Sequence, residues 1–174
     1  MIDKILVAVD RSQNDRFVFN SALSLAKAYD ATLMLLHVMS ITEADYPILP
    51  TYSYYLIPND REYDIYREKI EEYKQRGLNF LQNLIQEATA AGVKAQYTQL
   101  FGNPGRMICQ LANSWSADSI VVGSRRLTGL KEIFLGSVSN YVTHHAPCSV
   151  LIVRTPIDTE SVQKPSKSQK VEVQ

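Results

Sequence analysis

Ile5-Leu6-Val7-Ala8-Val9, closed by Asp10-Arg11-Ser12, is the stretch on which the fold turns. The run is short, continuous and rich in β-branched residues. It does not alternate with polar positions, as the strands of a parallel sheet do not when they are covered on both faces. Behind it Val18, Ala22, Leu25 and Tyr29 fall at helical spacing. Leu33 to Val38 (Leu-Met-Leu-Leu-His-Val) then reads as a second buried strand. Strand, helix, strand is a βαβ unit, with a right-handed crossover.

The alternation continues to residue 153. A long helix is predicted from Asp64 to Ala91, its apolar stripe traced by Tyr66, Ile70, Tyr73, Leu81, Leu84 and Ala88. Gly77 interrupts it and reads as a kink; Ala91-Gly92 closes it, with glycine where a left-handed backbone is needed. Val93 to Leu100 alternates as a strand with one face less buried. Asn103-Pro104 is a capping residue before a first-turn proline, and Ile108, Leu111, Ala112 and Trp115 give that helix its apolar face. Ser119 to Val122 is the fourth strand, ending at Gly123. A last helix starts at Gly136-Ser137 and runs to about His145, where Ala146-Pro147 stops it, and Val150 to Val153 is the fifth strand. The fold class expected is α/β: a doubly wound, mostly parallel five-stranded sheet, Rossmann-like in order 3-2-1-4-5, with helices on both faces. Ligands bind such sheets beyond the carboxyl ends of the strands, where the strand order reverses. Candidate ligand groups therefore follow Asp10, Val38 and Gly123.

At 174 residues the chain suits one domain, residues 1–155. The polar Lys/Ser/Gln-rich remainder, 156–174, reads as a disordered tail. An insertion at about 40–63 holds three of the seven prolines and five tyrosines, Tyr46, Tyr52, Tyr54, Tyr55 and Tyr63. It reads as a connection over the sheet edge, pinned by tyrosines on the next helix or serving as a lid or dimer contact. Eighteen basic and eighteen acidic residues cancel, so no electrostatic argument favours nucleic acid or a membrane as partner. Cys109 and Cys148 form no CxxC pair, which fits a reducing compartment. The start, Met1-Ile2-Asp3-Lys4, has no signal-peptide pattern, and no run reaches the ~18 apolar residues of a membrane span. The expected location is the cytoplasm.

The chemistry concentrates in Gly123-Ser-Arg-Arg-Leu-Thr-Gly-Leu-Lys-Glu-Ile-Phe-Leu-Gly136-Ser137-Val-Ser139. A strand ends in glycine, a loop follows, and Gly-Ser opens a helix. Helix amino termini present unpaired N–H groups and partial positive charge, and serine hydroxyls add donors. Arg125, Arg126 and Lys131 bring positive charge to the same loop. This arrangement suits a phosphate; it also suits an ordinary glycine turn with a serine cap worth ~1 kcal/mol. GxxxxGK[ST] and GxGxxG are both absent. Ser137 and His144 or His145 lie seven or eight residues apart on one helix. That is about 10–12 Å, too far for a nucleophile–base pair. His37 reads as a core histidine with its hydrogen bonds satisfied, and no side-chain cluster has metal-ligand spacing.

At these residues the chain resembles the universal stress protein family. The family's pattern is glycine, two residues, glycine, nine residues, glycine, then serine or threonine. Gly123, Gly136 and Ser137 match it, and Arg126 stands at the second glycine. Lys4-Ile-Leu-Val-Ala-Val-Asp10-Arg-Ser12 resembles the family's first strand and aspartate, and Leu35-Leu-His37-Val38 its second strand. Gly136 to Val153 resembles its last helix and strand. The resemblance implies an adenine nucleotide, ATP or AMP, with Mg2+ on its phosphates and no metal ligand from side chains alone. Asp10 would accept from the ribose hydroxyls, and Val38 would meet adenine through its backbone. Gly123 and Arg125 would line the ribose and phosphate path. Gly136, Ser137, Val138 and Ser139 would hold phosphates, with Ala8, Val9, Ser12 and Val122 completing the site. Arg126 either reshapes the loop, at roughly 1 kcal/mol if positive φ is required, or grips a phosphate bidentately. The resemblance further implies a homodimer through Ser149 to Arg154. The function expected is a nucleotide-responsive stress signalling module read by a downstream protein, with no catalytic residue. A slow ATPase or phosphotransferase using Ser137 and a nucleotide-free dimer closed by Arg126 are the alternatives.

Overall fold

Apolar strands that carry large side chains on both sides need helices on both sides, and the described residues form nine elements, five strands and four helices. In order they are β1 (Lys4–Val9), α1 (Asp15–Tyr29), β2 (Thr32–Met39), α2 (Asp60–Ala90), β3 (Ala95–Phe101), α3 (Pro104–Trp115), β4 (Ser119–Gly123), α4 (Ser137–His145) and β5 (Ser149–Val153). The structure is a computed structural model and describes residues 1–12, 15–43, 45–48, 60–124 and 135–154. The tail, residues 49–59 of the insertion, Arg125, Arg126 and Lys131 lie outside the described residues.

All four strand pairings are parallel, and the order is β3-β2-β1-β4-β5. Alternate side chains divide the core. Ile5, Val7 and Val9 of β1, Leu33 and Leu35 of β2, and Val121 of β4 meet Val18, Phe19, Ala22 and Ala26 of α1 and Leu81, Leu84 and Ala88 of α2. Leu6, Met34, Leu36, Val38, Ile120 and Val122 lie under Ile108 and Ala112 of α3 and Val142 of α4. Each large aliphatic side chain buried this way contributes roughly 1.5–3 kcal/mol.

Local signals set several boundaries as expected. Asn103 caps α3 by accepting the Arg106 N–H, with Pro104 in the first turn, and Gly92 closes α2 at φ +80°. Three expectations need correction. The inward face of α1 is turned toward Phe19 and Ala26, leaving Leu25 half-buried and Tyr29 exposed; the small Ala22 and Ala26 allow this helix close to the sheet. Helix α2 starts at Asp60, before the expected Asp64, because the prolines end at Pro58 and Glu62 suits a first turn. Gly77 marks no helix break: α2 runs through it. A Cβ there would lie 2.2 Å from Gln99 Nε2 and 2.8 Å from the ring nitrogen Nδ1 of buried His37. The glycine is required by close helix–sheet approach. Gly77→Val should therefore overpack this contact and destabilise the chain by about 1–3 kcal/mol. Urea denaturation should show a lower midpoint at unchanged slope.

Candidate functional site

Strand order reverses between β1 and β4, whose connections leave in opposite directions, and a cleft opens there. It encloses about 770 Å³ of empty space, counting the part open to solvent. Its floor is Ala8, Val9 and Asp10 after β1, Leu36 and Val38 of β2, and Val122, Gly123 and Ser124 of β4. Ser12, Asp15 and Val18 enter from the start of α1, Pro104 and Ile108 from α3, and Gly136, Ser137, Val138 and Ser139 from α4. Every expected site residue among the described ones lines this cleft. Those not foreseen are Asp15, Val18, Leu36, Glu43, Pro104, Ile108 and Ser124. Val18, Leu36 and Ile108 read as core residues from their spacing alone. Asp15 carried a usable signal, a second carboxylate five residues after Asp10 at a strand-to-helix turn.

The two polar ends of the cleft differ in sign. Gly136 is the N-cap of α4, and among the described residues no side chain caps the helix, so the serine cap weighed above is not formed there. The Ser139 hydroxyl donates to Gly136 O at 3.0 Å. The first amides of α4 thus face the cleft with the positive end of the helix dipole. Across from them, Ser12 N–H donates to Asp10 Oδ1 at 3.1 Å, and Asp10 N–H donates to Asp15 Oδ1 at 2.9 Å. Arg11 lies between in the left-handed region, φ 61°. The walls are largely apolar.

Arg11 points its guanidinium along the segment after β2, 2.6 Å from Asp45 and 3.9 Å from Glu43, and over the Tyr73 ring at 5.1 Å. Tyr46 packs edge-on against Tyr73, centroids 5.3 Å apart. His37 is fully buried. Gln99 Nε2 lies 3.1 Å from its Nδ1, while its Nε2 faces Glu43 Oε1 at 3.6 Å, beyond a hydrogen bond. It is a core histidine, half satisfied rather than fully so. Among the described residues no group of three or more His, Cys, Asp or Glu side chains is placed to hold a metal ion, and no helix is long and apolar enough to cross a membrane.

A family model described as the universal stress protein family matches residues 1–154. The chain belongs to the universal stress protein family. Among its relatives, universal stress protein Sll1388 of Synechocystis is 39% identical over 151 residues, covering 87% of this chain and 97% of the relative. YxiE of Bacillus subtilis is 39% identical over 154 residues, covering 88% and 100%. Two solved structures share the fold. UspA of Lactobacillus plantarum has a TM-score of 0.68 at 21% identity, covering 88% of this chain and 98% of that one. A universal stress protein family protein of Arabidopsis thaliana, solved with AMP bound, has a TM-score of 0.62 at 24% identity, covering 95% and 97%.

Proposed function

We propose that this universal stress protein binds an adenine nucleotide, ATP or AMP, in the cleft between β1 and β4. In this reading it works as a dimeric stress-response signalling module rather than as a fast enzyme. The observation that carries the reading is the pairing of a helix start capped by glycine, Gly136 to Ser139, with a carboxylate, Asp10, across one cleft. Anions gather at helix amino termini, ribose hydroxyls donate to carboxylates, and Val38, Leu36, Ile108 and Val122 offer an apolar slot for a flat base. The Arabidopsis protein of the same fold holds AMP, and another universal stress protein was solved in complex with cAMP.

The residues fit the ligand one by one. Asp10 accepts from the ribose, and the Val38 backbone meets adenine. Gly123 lets the chain pass close to the sugar. Ser137, Val138 and Ser139 donate to phosphates, on which Mg2+ is carried by the ligand's own oxygens. Ala8, Val9, Ser12 and Val122 complete the walls, and Arg125 and Arg126 are proposed to approach the phosphates. Dimerisation is proposed through β5, an edge strand whose Leu151 is 39% exposed; an open strand edge is a template for a second copy.

Calorimetric titration tests the site. Wild type should release or absorb heat with AMP or ATP, and Asp10→Ala should bind about tenfold or more weakly, the loss of charge-assisted hydrogen bonds. No heat with AMP, ADP or ATP, or an unchanged affinity in Asp10→Ala, would exclude the reading. Light scattering after gel filtration tests the assembly: wild type should elute as two chains and Leu151→Glu as one, whereas a wild-type monomer would rule out the dimer.

A further inference from the structure

Asp15 is a side chain in the cleft for which a nucleotide site has no evident use. It is the first residue of α1, 5% exposed, and lines the cavity. An acid in a first helical turn is ordinarily charged and favoured there by the dipole. Here one oxygen, Oδ1, accepts the Asp10 N–H. The other, Oδ2, is buried with no donor among the described residues. As a carboxylate that oxygen would stand desolvated beside a second carboxyl group, a strongly unfavourable arrangement. Burial, then the charge of Asp10 and a side-chain hydrogen bond to Asp10, push Asp15 up to about 7; the backbone N–H groups of Asp10 and Arg11 pull against this.

We propose that Asp15 is a positioning residue that acts as a neutral acid, its Oδ2–H donating to the Asp10 carboxylate and holding it in place for the ligand. The proposal rests on the nucleotide reading above. The Asp15 O–H and the Ser12 N–H are then among the donors that set the Asp10 carboxylate for the ribose. No proton is transferred; Asp15 keeps it. The other titratable or charged groups around Asp15 among the described residues are Arg11, which directs its guanidinium to Asp45 and Glu43, and Glu43 on the same cavity wall. Arg16, next on α1, pairs with Glu87 of α2. From β4 and α4 the cavity receives Ser124, Ser137 and Ser139, none of which titrates here. When pH rises through neutrality Asp15 ionises, its donor is lost, and two carboxylates face an anionic ligand. Binding then requires uptake of the missing proton.

The test uses the full chain and AMP between pH 7 and 8.3, above a phosphate monoester's second ionisation at about 6. Wild-type affinity should fall about tenfold over this range, the slope of one linked proton. The heat should also vary with the buffer's ionisation enthalpy, reporting proton uptake. Asp15→Asn keeps a donor that cannot titrate and should bind equally at both pH values, near the wild-type affinity at pH 7. Asp15→Ala has no donor and should bind weakly at both. Wild-type binding with a flat profile, or a slope retained in Asp15→Asn, overturns the proposal. If no adenine nucleotide binds at any pH, the nucleotide reading fails by itself and the ligand-free protein decides the acid pair. A folded-state acid raised above its usual range loses stability as pH rises from about 4 to about 7. Wild type should therefore lose melting temperature between pH 5 and 8 relative to Asp15→Asn, and parallel curves overturn the pair. If Asp15→Asn does not fold, the 13C titration of the wild-type Asp15 carboxyl replaces it: a midpoint near neutrality supports the proposal, and one in the ordinary carboxylate range overturns it.

Discussion

A parallel sheet covered on both faces exposes backbone and polar side chains at its strand ends and along its two edge strands. Here all four strand pairings among the described residues are parallel, and both faces of the central strands are buried under α1 and α2 on one side and α3 and α4 on the other. The connections from β1 and β4 depart to opposite faces because the strand order reverses between them. A cleft is the geometric result, and its chemistry depends on which residues end those two strands and begin the helices that follow. In this chain they are Asp10 to Asp15 on one side and Gly123, Ser124 and Gly136 to Ser139 on the other.

That arrangement gives the cleft a polarity. Donors gather at α4, where glycine as the cap leaves the first amides without a side-chain acceptor among the described residues. Acceptors gather at the turn between β1 and α1, which is braced internally by Asp15 and Ser12. The same turn reaches outward through Arg11. Its left-handed backbone, costing roughly 1 kcal/mol for a residue with a Cβ, turns its guanidinium to the segment after β2 and to Tyr73 of α2. Glu43 lines the cleft and also faces His37 and Arg11. The cleft is thus tied by polar contacts to the beginning of the Tyr/Pro-rich insertion.

Much of this was legible in residue order because the signals are local. Ile5 to Val9, Asn103-Pro104, Gly92 and Gly136-Ser137 each act through their own backbone or nearest neighbours. The expected positions along the strands also place Asp10, Val38 and Gly123 at one sheet edge. Long-range contact was not legible. Gly77 reads as a helix break in a window of neighbours, yet its role is to admit His37 and Gln99 from two other elements. Glu43 lay in a stretch without periodicity, so nothing local aimed it at the cleft. The spacing of Asp15 from Asp10 is visible in the sequence, but the burial beside Asp10 that changes its character is a tertiary effect.

The central claim is that the acceptors at Asp10 and the amides at α4 together form a seat for a sugar phosphate. Native mass spectrometry of the gently purified full-length protein, before and after addition of AMP or ATP, tests it most directly. The account predicts one adenine nucleotide mass added per chain, and its loss on Asp10→Ala substitution. A bare chain mass at saturating nucleotide would contradict it.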